Sequence, residues 1–282
     1  MKFGMFLPNF GWFGDIGLLV DIAVEAEEAG WDGFFIWDHM VLSINNPCEV
    51  VDPWIALSAI ACAAKRMRIG THITPLPRRR PWKLARESVT LDHLSRGRLI
   101  LGVGIGTPPD PEFAAFSEET DVRIRAEKLD EGLEIVIGFW SGQPFSFSGK
   151  HYQVSSVTFL PQSYQKPRIP IWVGGCIPHA APFKRAARFD GVAPVHTEWP
   201  RQVSLQELED VLEIVWWERG NLEDYDVVIC GETTGTNPIH DRQKIEPWIG
   251  VGVTWWLEDI HGLRADLDTL RERLRAGPPQ LD

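Results

Sequence analysis

Cysteine is scarce in this chain and none of it is paired by spacing. Cys48, Cys62, Cys176 and Cys230 are scattered through 282 residues, without the short repeated intervals of a zinc site or the dense framework of a disulfide-stapled domain. No metal centre is expected, and a reducing cytoplasm fits best. Long apolar runs are also missing. No stretch approaches the ~20 residues that a membrane-crossing helix needs, and the chain enters KFGMFLP directly, with no basic region and cleavage site before it. The expectation is a soluble, unprocessed protein with no membrane partner. Positive charge is in deficit: 28 Lys and Arg against 39 Asp and Glu leave a net charge of -11. A broad phosphate-backbone surface is therefore excluded, and nucleic acid ranks low as a partner. One basic cluster, Arg78-Arg79-Arg80, runs against that trend. It reads either as a solvated loop edge or as an attractor for an anionic cofactor tail or substrate. No Ser/Gly-rich linker, short repeat or low-complexity tract divides the chain, so residues 1–282 read as one domain.

What is present is an alternation of strand and helix signals, clearest between Thr71 and Gly106. Arg68 to Thr74 is short, β-branched and apolar, a buried strand closed by Pro75 and Pro77. Pro81 suits a first helical turn, Leu84, Leu91 and Leu94 recur on one face around the small Ser88, and Gly97 ends the helix. Arg98 to Gly104 is a second apolar run, too short for a buried helix. Two such strands joined by a helix form a parallel βαβ unit, covered on both faces.

The same grammar runs through the rest. Lys2 to Pro8 and Gly33 to Trp37 read as strands around a helix carrying Leu19, Ile22, Ala23 and Ala26. Asp52-Pro53 is an N-cap with a first-turn proline. After the Pro/Gly-rich GTPPDPEF comes a helix with Leu129, Leu133, Val136 and Trp140 inside, and FSFSGKHYQV reads as an inserted hairpin about a Ser-Gly turn. Further strands fall at Ile169 to Val173, ended by Gly174-Gly175, then Gly191 to Val195, Asp226 to Cys230 and Val253 to Leu257. Ser204 with Glu207 forms a capping box, and a stripe from Leu263 to Leu274 marks the last helix. Trp216 and Trp217 read as helix packing, and Trp255 and Trp256 as divided between the two faces of a strand. About eight βα units result, which is the α/β pattern of a TIM (β/α)8 barrel with a small inserted hairpin between the fourth helix and the fifth strand.

At Thr90 to Gly106 the sequence TLDHLSRGRLILGVGIG resembles the signature of the bacterial luciferase-like superfamily, and KFGMFLPN, GWDGFFIWDH, FSGKHYQV, PRIPIWVGG and ARFDGV extend the likeness. The resemblance implies a TIM barrel that uses FMN or the deazaflavin coenzyme F-420. It further implies a homodimer, a small organic substrate and, for some members, a separate flavin reductase or other supplier of reduced cofactor. The LDHLSRGR part lies where a strand is entered, the face of a barrel that serves stability, so the most diagnostic residues are not expected to be catalytic.

Catalytic residues of such barrels follow the apolar runs. That rule selects Pro8 and Asn9, Asp38 and His39, Thr71 to Thr74, Gly104 to Thr107, Gly174 to Cys176, Pro194 to His196, Gly231 to Thr233, and Glu258. His39 is the leading candidate for proton exchange, because an imidazole titrates near neutrality. The resemblance adds that deazaflavin-using members carry a histidine at this place. It also implies a bulge with a cis peptide, expected at His72-Ile73, supporting the ring from behind, and cofactor contacts from Phe6, Asp38, Thr71, His72, Ile73, Gly104, Gly106, Gly174, Gly175 and Cys176. Gly174-Gly175 before a helix would leave N–H groups open to a phosphate. Gly102-Val103-Gly104-Ile105-Gly106 opens no helix and is not a Rossmann loop.

Two departures from the family pattern stand out. Deazaflavin dehydrogenases of the superfamily often carry an acid just after the strand-four glycines, where this chain has Thr107, a hydroxyl that can hydrogen-bond but cannot act as a carboxylic acid. Luciferase-like FMN oxygenases often place a phosphate-binding arginine near that strand end, where this chain has Ile105. The expected activity is a flavin- or deazaflavin-dependent oxidoreductase or monooxygenase, by hydride transfer or oxygen activation, with His39 and Thr107 at the reacting centre. A non-catalytic flavin-binding relative is the alternative. A flavin-free barrel lyase or isomerase fits less well, since the strand ends offer no lysine.

Overall fold

A computed structural model describes residues 1–107, 109–198 and 201–281. The first half runs β1 (Lys2–Leu7), α1 (Ile16–Glu28), β2 (Gly33–Ile36), α2 (Pro53–Ala63), β3 (Arg68–Pro75), α3 (Pro81–Leu94) and β4 (Leu99–Gly104). A short α4 (Pro109–Glu112) and a long α5 (Val122–Trp140) lead to the antiparallel pair β5 (Phe145–Ser148) and β6 (Gln153–Val157). Then come β7 (Ile171–Ile177), α6 (Ala181–Ala186), β8 (Gly191–His196), α7 (Leu205–Arg219), β9 (Asp226–Gly231), α8 (Pro238–Val251), β10 (Trp255–Asp259) and α9 (Leu267–Arg275). All strands except β5 and β6 close into a parallel barrel in the order β1-β10-β9-β8-β7-β4-β3-β2. This is the expected TIM barrel, with the hairpin inserted between α5 and β7.

Local chemistry starts the helices, at Asp52 and Ser204 as the sequence says and at Asp121 in addition. Asp52 accepts from the backbone N–H of Trp54 and Ile55 ahead of Pro53, Asp121 caps α5, and Ser204 with Glu207 closes a reciprocal capping box on α7. Each such cap is worth about 1 kcal/mol. Side chains then divide by strand alternation. Phe35, Ile100, Trp172, Val228, Trp255 and Leu257 fill the barrel, with Phe35, Trp172 and Trp255 in ring contact at 4.9 to 5.6 Å. Trp256 faces the other way, toward Trp248 of α8. The diagnostic LDHLSRGR residues sit at the amino-terminal rim. Buried Asp92 accepts from Tyr164 N, Gln165 N and Gln165 Nε2 at 2.7 to 3.0 Å, and Arg98 donates to the carbonyls of Ala61, Met67 and Ser95. Those bonds staple loops to the barrel floor.

Several sequence expectations need correction. Gly174-Gly175 do not end their strand: β7 continues to Ile177, and the helix after it is only Ala181–Ala186. The glycines serve packing, since a Cβ on Gly175 would come within 2.6 Å of Pro182 and 2.7 Å of Phe183. The last barrel strand is displaced to Trp255–Asp259, because Glu258 and Asp259 are buried in the ladder despite their charge. Leu263 lies outside α9 and is exposed, as is Leu94. Trp216 and Trp217 are exposed on α7 and pack against each other rather than under the helix. Finally, the loop GTPPDPEF contains α4.

Candidate active site at the carboxyl rim of the barrel

The carboxyl ends of β1, β2 and β3 assemble an aromatic wall. Phe6, the last interior residue of β1, packs against Trp37 at 5.2 Å between ring centroids and edge-on against His72 at 4.8 Å. Phe10 meets Trp37 and His39, both at 5.6 Å, and Trp37 lies 5.8 Å from His39. Asn9, fully buried, locks the chain after β2. It accepts from His39 N at 3.1 Å and donates to the carbonyls of His39 and Val51 at 2.8 and 2.7 Å.

Onto this wall the loop after β3 folds two of its three arginines inward. Arg78 donates to the carbonyl and to Oδ1 of Asp38, at 2.6 and 2.7 Å, and also pairs with Glu112. Arg79 donates to both Asp38 oxygens at 2.8 and 2.9 Å, and Thr74 Oγ1 donates to Asp38 Oδ2 at 2.8 Å. Burial by itself would raise the Asp38 pKa; the Arg79 and Arg78 guanidinia outweigh it and hold the carboxyl below its ordinary value. Asp38 is thus a buried ionised anchor. Neither reading of the basic cluster holds for Arg78 and Arg79, which are neither solvated nor free for an external anion; Arg80 alone is exposed.

The key contact is between His39 and Glu112. Glu112, at the end of α4, is buried, accepts from the backbone N–H of Met40 and Val41 at 3.1 Å, and lies 3.2 Å from His39 Nδ1. Burial first, then the Arg78 charge, push the His39 pKa down to about 4, with Asp38 pulling weakly the other way. Glu112's own charge is met by Arg78, so the imidazole beside it stays neutral at pH 7. A carboxylate only accepts, so Nδ1 carries the proton and Nε2 presents a lone pair. Glu112, five positions after Thr107, places a carboxyl beside His39. Thr107 itself stands exposed in the loop. Nothing near Glu112 in sequence marks it. The signal that points to it is indirect, because two arginines turned into a barrel rim require buried carboxylates to meet them.

The β3 bulge is present, with a register shift between Thr71 and Thr74 and a cis peptide at His72-Ile73. Thr71 is buried and donates to Gly102 O at 3.2 Å. His72 is buried edge-on to Phe6, its pKa lowered to about 4 by burial, and its Nε2 has no partner among the described residues. Half-exposed Ile73 reaches over the ends of β4 and β7: a Cβ on Gly104 would lie 2.0 Å from its Cδ1, and one on Gly174 would lie 2.8 Å from it. Those two glycines make room for a protein side chain. Gly106 takes φ +82°, with Phe113 and Pro75 each 2.8 Å from any Cβ there. Arg125, buried over Phe113, donates to the carbonyls of Ile105 and Gly106 at 3.1 and 2.8 Å. Cys176 is half-exposed near the end of β7, and burial raises its thiol pKa.

The profile of the luciferase-like monooxygenase family matches residues 1–229. The chain belongs to that family. Among curated relatives of this luciferase-like protein, an F420-dependent glucose-6-phosphate dehydrogenase from Microbacterium testaceum is 32% identical over 165 residues, or 57% of this chain and 48% of the relative. A second from Nakamurella multipartita is 32% identical over 171 residues, or 57% and 47%. The chain thus spans about half the length of these relatives. An uncharacterized protein from Mycobacterium bovis is 28% identical over 248 residues, covering 81% and 82%. Among solved structures, an F420-dependent secondary alcohol dehydrogenase in complex with an F420-acetone adduct superposes with a TM-score of 0.82 at 16% identity, covering 100% and 99%. A monooxygenase from Streptomyces bottropensis superposes with a TM-score of 0.79 at 21% identity, covering 98% and 97%. These superpositions establish the fold. No helix of the described residues is long and apolar enough to cross a membrane.

Proposed function

We propose that this luciferase-like chain is an oxidoreductase that holds a flavin or deazaflavin ring at the carboxyl rim of β1 to β4 and acts on a small, largely apolar organic substrate. The observation that carries the reading is the buried His39–Glu112 pair set in an aromatic wall, at the same carboxyl end of the barrel as the Ile73 shelf. The donor set fits such a ring: Phe6, Trp37 and Ile73 offer apolar surface, and His39 and His72 offer neutral imidazoles. When bound, the cofactor supplies the electrons.

The protein residues manage position and protons. Ile73, held over Gly104 and Gly174, would offer the cofactor an apolar shelf, and Phe6, Phe10 and Trp37 keep water from the imidazole. His39 Nε2 accepts a hydrogen bond from a substrate hydroxyl, and Glu112 on Nδ1 stabilises the ring when a proton arrives at Nε2. Asp38, Arg78 and Arg79 hold this constellation without touching the substrate.

Coenzyme F-420 with hydride transfer is favoured over FMN with dioxygen. The named relatives at 32% identity are F420-dependent, and the guanidinium that reaches the end of β4, Arg125, is occupied by the Ile105 and Gly106 carbonyls rather than open to a phosphate. The test is His39→Gln in the F-420-loaded protein, assayed for cofactor reduction against a panel of alcohols, aldehydes and sugar phosphates. Turnover falls about 100-fold or more while cofactor affinity stays within a few-fold. Unchanged turnover removes His39 from the mechanism, and absence of any turnover by the wild type supports the non-catalytic alternative.

A further inference from the structure

On the other side of β1 from the His39 loop, β10 brings a second carboxyl into the barrel mouth. Trp255 and Leu257 belong to the interior core, and side chains two apart on a strand share a face, so Asp259 also points inward, one layer above Leu257. In the ladder it stands level with Phe6. The Asp259 side chain is 11% exposed; its Oδ2 lies 3.6 Å from His261 Nε2, and its Oδ1 has no hydrogen-bond partner among the described residues. Buried carboxyl oxygens are rarely left without a partner. Asp259 lines a cleft of about 480 Å³, together with Gln202, Glu232, Lys244, His261 and Arg264.

The surrounding charges define what the cleft accepts. Glu258, the neighbour of Asp259 on β10, is neutralised by Arg264 at 2.8 Å and Arg273 at 3.2 Å, and accepts from Thr233 N and Oγ1, both at 2.8 Å. Arg264, which also lines the cleft, has its charge shared between Glu258 and Glu232. Glu232 is on the cleft wall, its carboxylate 4.0 Å from Arg264 Nε, Lys244 of α8 also lines the cleft, and Cys230 of β9 lies inside the barrel beneath. Burial chiefly, then the Glu232 charge, raise the Asp259 pKa to about 7, with Arg264 opposing and Glu258 adding. Asp259 therefore exchanges its proton at physiological pH. As an acid it donates to a carbonyl oxygen, or to the lone pair of a hydroxyl oxygen whose own proton is accepted by His39. One side chain can serve both members of an alcohol and carbonyl pair, whereas an anionic ligand would meet Glu232 and Asp259 together.

We propose that Asp259 hydrogen-bonds the reacting oxygen of a neutral alcohol or carbonyl substrate, bound in the cleft at the carboxyl ends of β9 and β10. The assignment rests on the reading that the same mouth holds a redox ring, and gives that reading its substrate class.

The experiment uses the cofactor-loaded protein with short-chain secondary alcohols, the matching ketones, and carboxylates and phosphomonoesters of equal length as probes, read by cofactor and tryptophan fluorescence. Wild type, Asp259→Asn and Asp259→Ala are compared from pH 5.5 to about 8.5, bracketing the titration. Wild type binds the neutral probes, with a pH dependence centred near 7. Asp259→Asn keeps ketone affinity within about threefold and loses that dependence. Asp259→Ala weakens neutral probes about tenfold, the loss of one hydrogen bond, while all three proteins bind cofactor equally. A carboxyl C=O infrared band that titrates near pH 7 in wild type and is absent in Asp259→Asn gives the same answer without a probe. Unchanged binding in Asp259→Ala, preference for the anionic probes, no binding of neutral probes, or absence of the band overturns the assignment with cofactor binding intact. Failure of wild type to bind cofactor overturns the underlying reading instead.

Discussion

Replacing Arg78 with methionine removes the group that joins Asp38, Glu112 and His39, and the structure sets the size of the response. The Arg78 side chain is 2% exposed, Asp38 0% and Glu112 2%. Deleting one partner of a buried ion pair costs about 3–5 kcal/mol, because the charge left behind is not resolvated. Asp38 retains Arg79, so the lower half of that range is expected, still a large part of the roughly 5–15 kcal/mol that holds a domain together. The ring of His39 gives a sharper readout. With the guanidinium gone, one of the two causes that hold its pKa near 4 disappears, and Glu112 is released to favour the imidazolium. The pKa should rise from about 4, while burial continues to hold it down, each unit being worth about 1.4 kcal/mol. The assay is an NMR titration of labelled histidine, run beside urea unfolding, with the exposed Arg80→Met as control and expected within about 0.5 kcal/mol of wild type. If His39 of the Arg78 variant still titrates near 4 and stability changes by less than about 1 kcal/mol, the network does not hold the site as argued.

Other consequences follow from single positions. His72 is buried with its pKa near 4, while the unfolded chain takes up that proton at 6.5, so the folded state binds fewer protons between those values and stability falls as pH drops through that window. The loss is about 3 kcal/mol at the acid end, and His72→Asn should flatten that part of the pH dependence of the urea midpoint. A Cβ on Gly102 would lie 2.1 Å from the Thr71 carbonyl, a backbone atom that cannot swing aside, so Gly102→Ala should cost about 3 kcal/mol or more by thermal melt. Gly250, in α8 with nothing within 4 Å of its Cβ position, should respond oppositely, Gly250→Ala gaining about 0.5–1 kcal/mol.

The barrel was legible because its strands are bounded by proline and glycine and its helices by local caps, all of which act within a few residues. Strand identity held even where the ends shifted. The shifts have physical causes: Glu258 looks like a loop residue until Arg264, Arg273 and Thr233 supply its partners, and Gly174-Gly175 look like a break until Ile73 and Phe183 fill the space they leave. The His72-Ile73 bulge was reached through family likeness, not through any local propensity. His39 could be chosen because it follows a strand. Glu112 could not, because its contact with His39 spans 73 positions and depends on the direction in which Arg78 turns.

The central claim is that the rim of this barrel receives a flat redox ring against Phe6, Ile73 and His39. Titrating the purified apoprotein with FMN and with coenzyme F-420, in oxidised and reduced forms, tests it most directly through absorbance and fluorescence. The expected result is tight binding of coenzyme F-420, at micromolar Kd or below, and a loss of about tenfold or more when Ile73 is changed to aspartate. If neither cofactor binds in either redox state, or if Ile73→Asp binds as well as wild type, the account is contradicted.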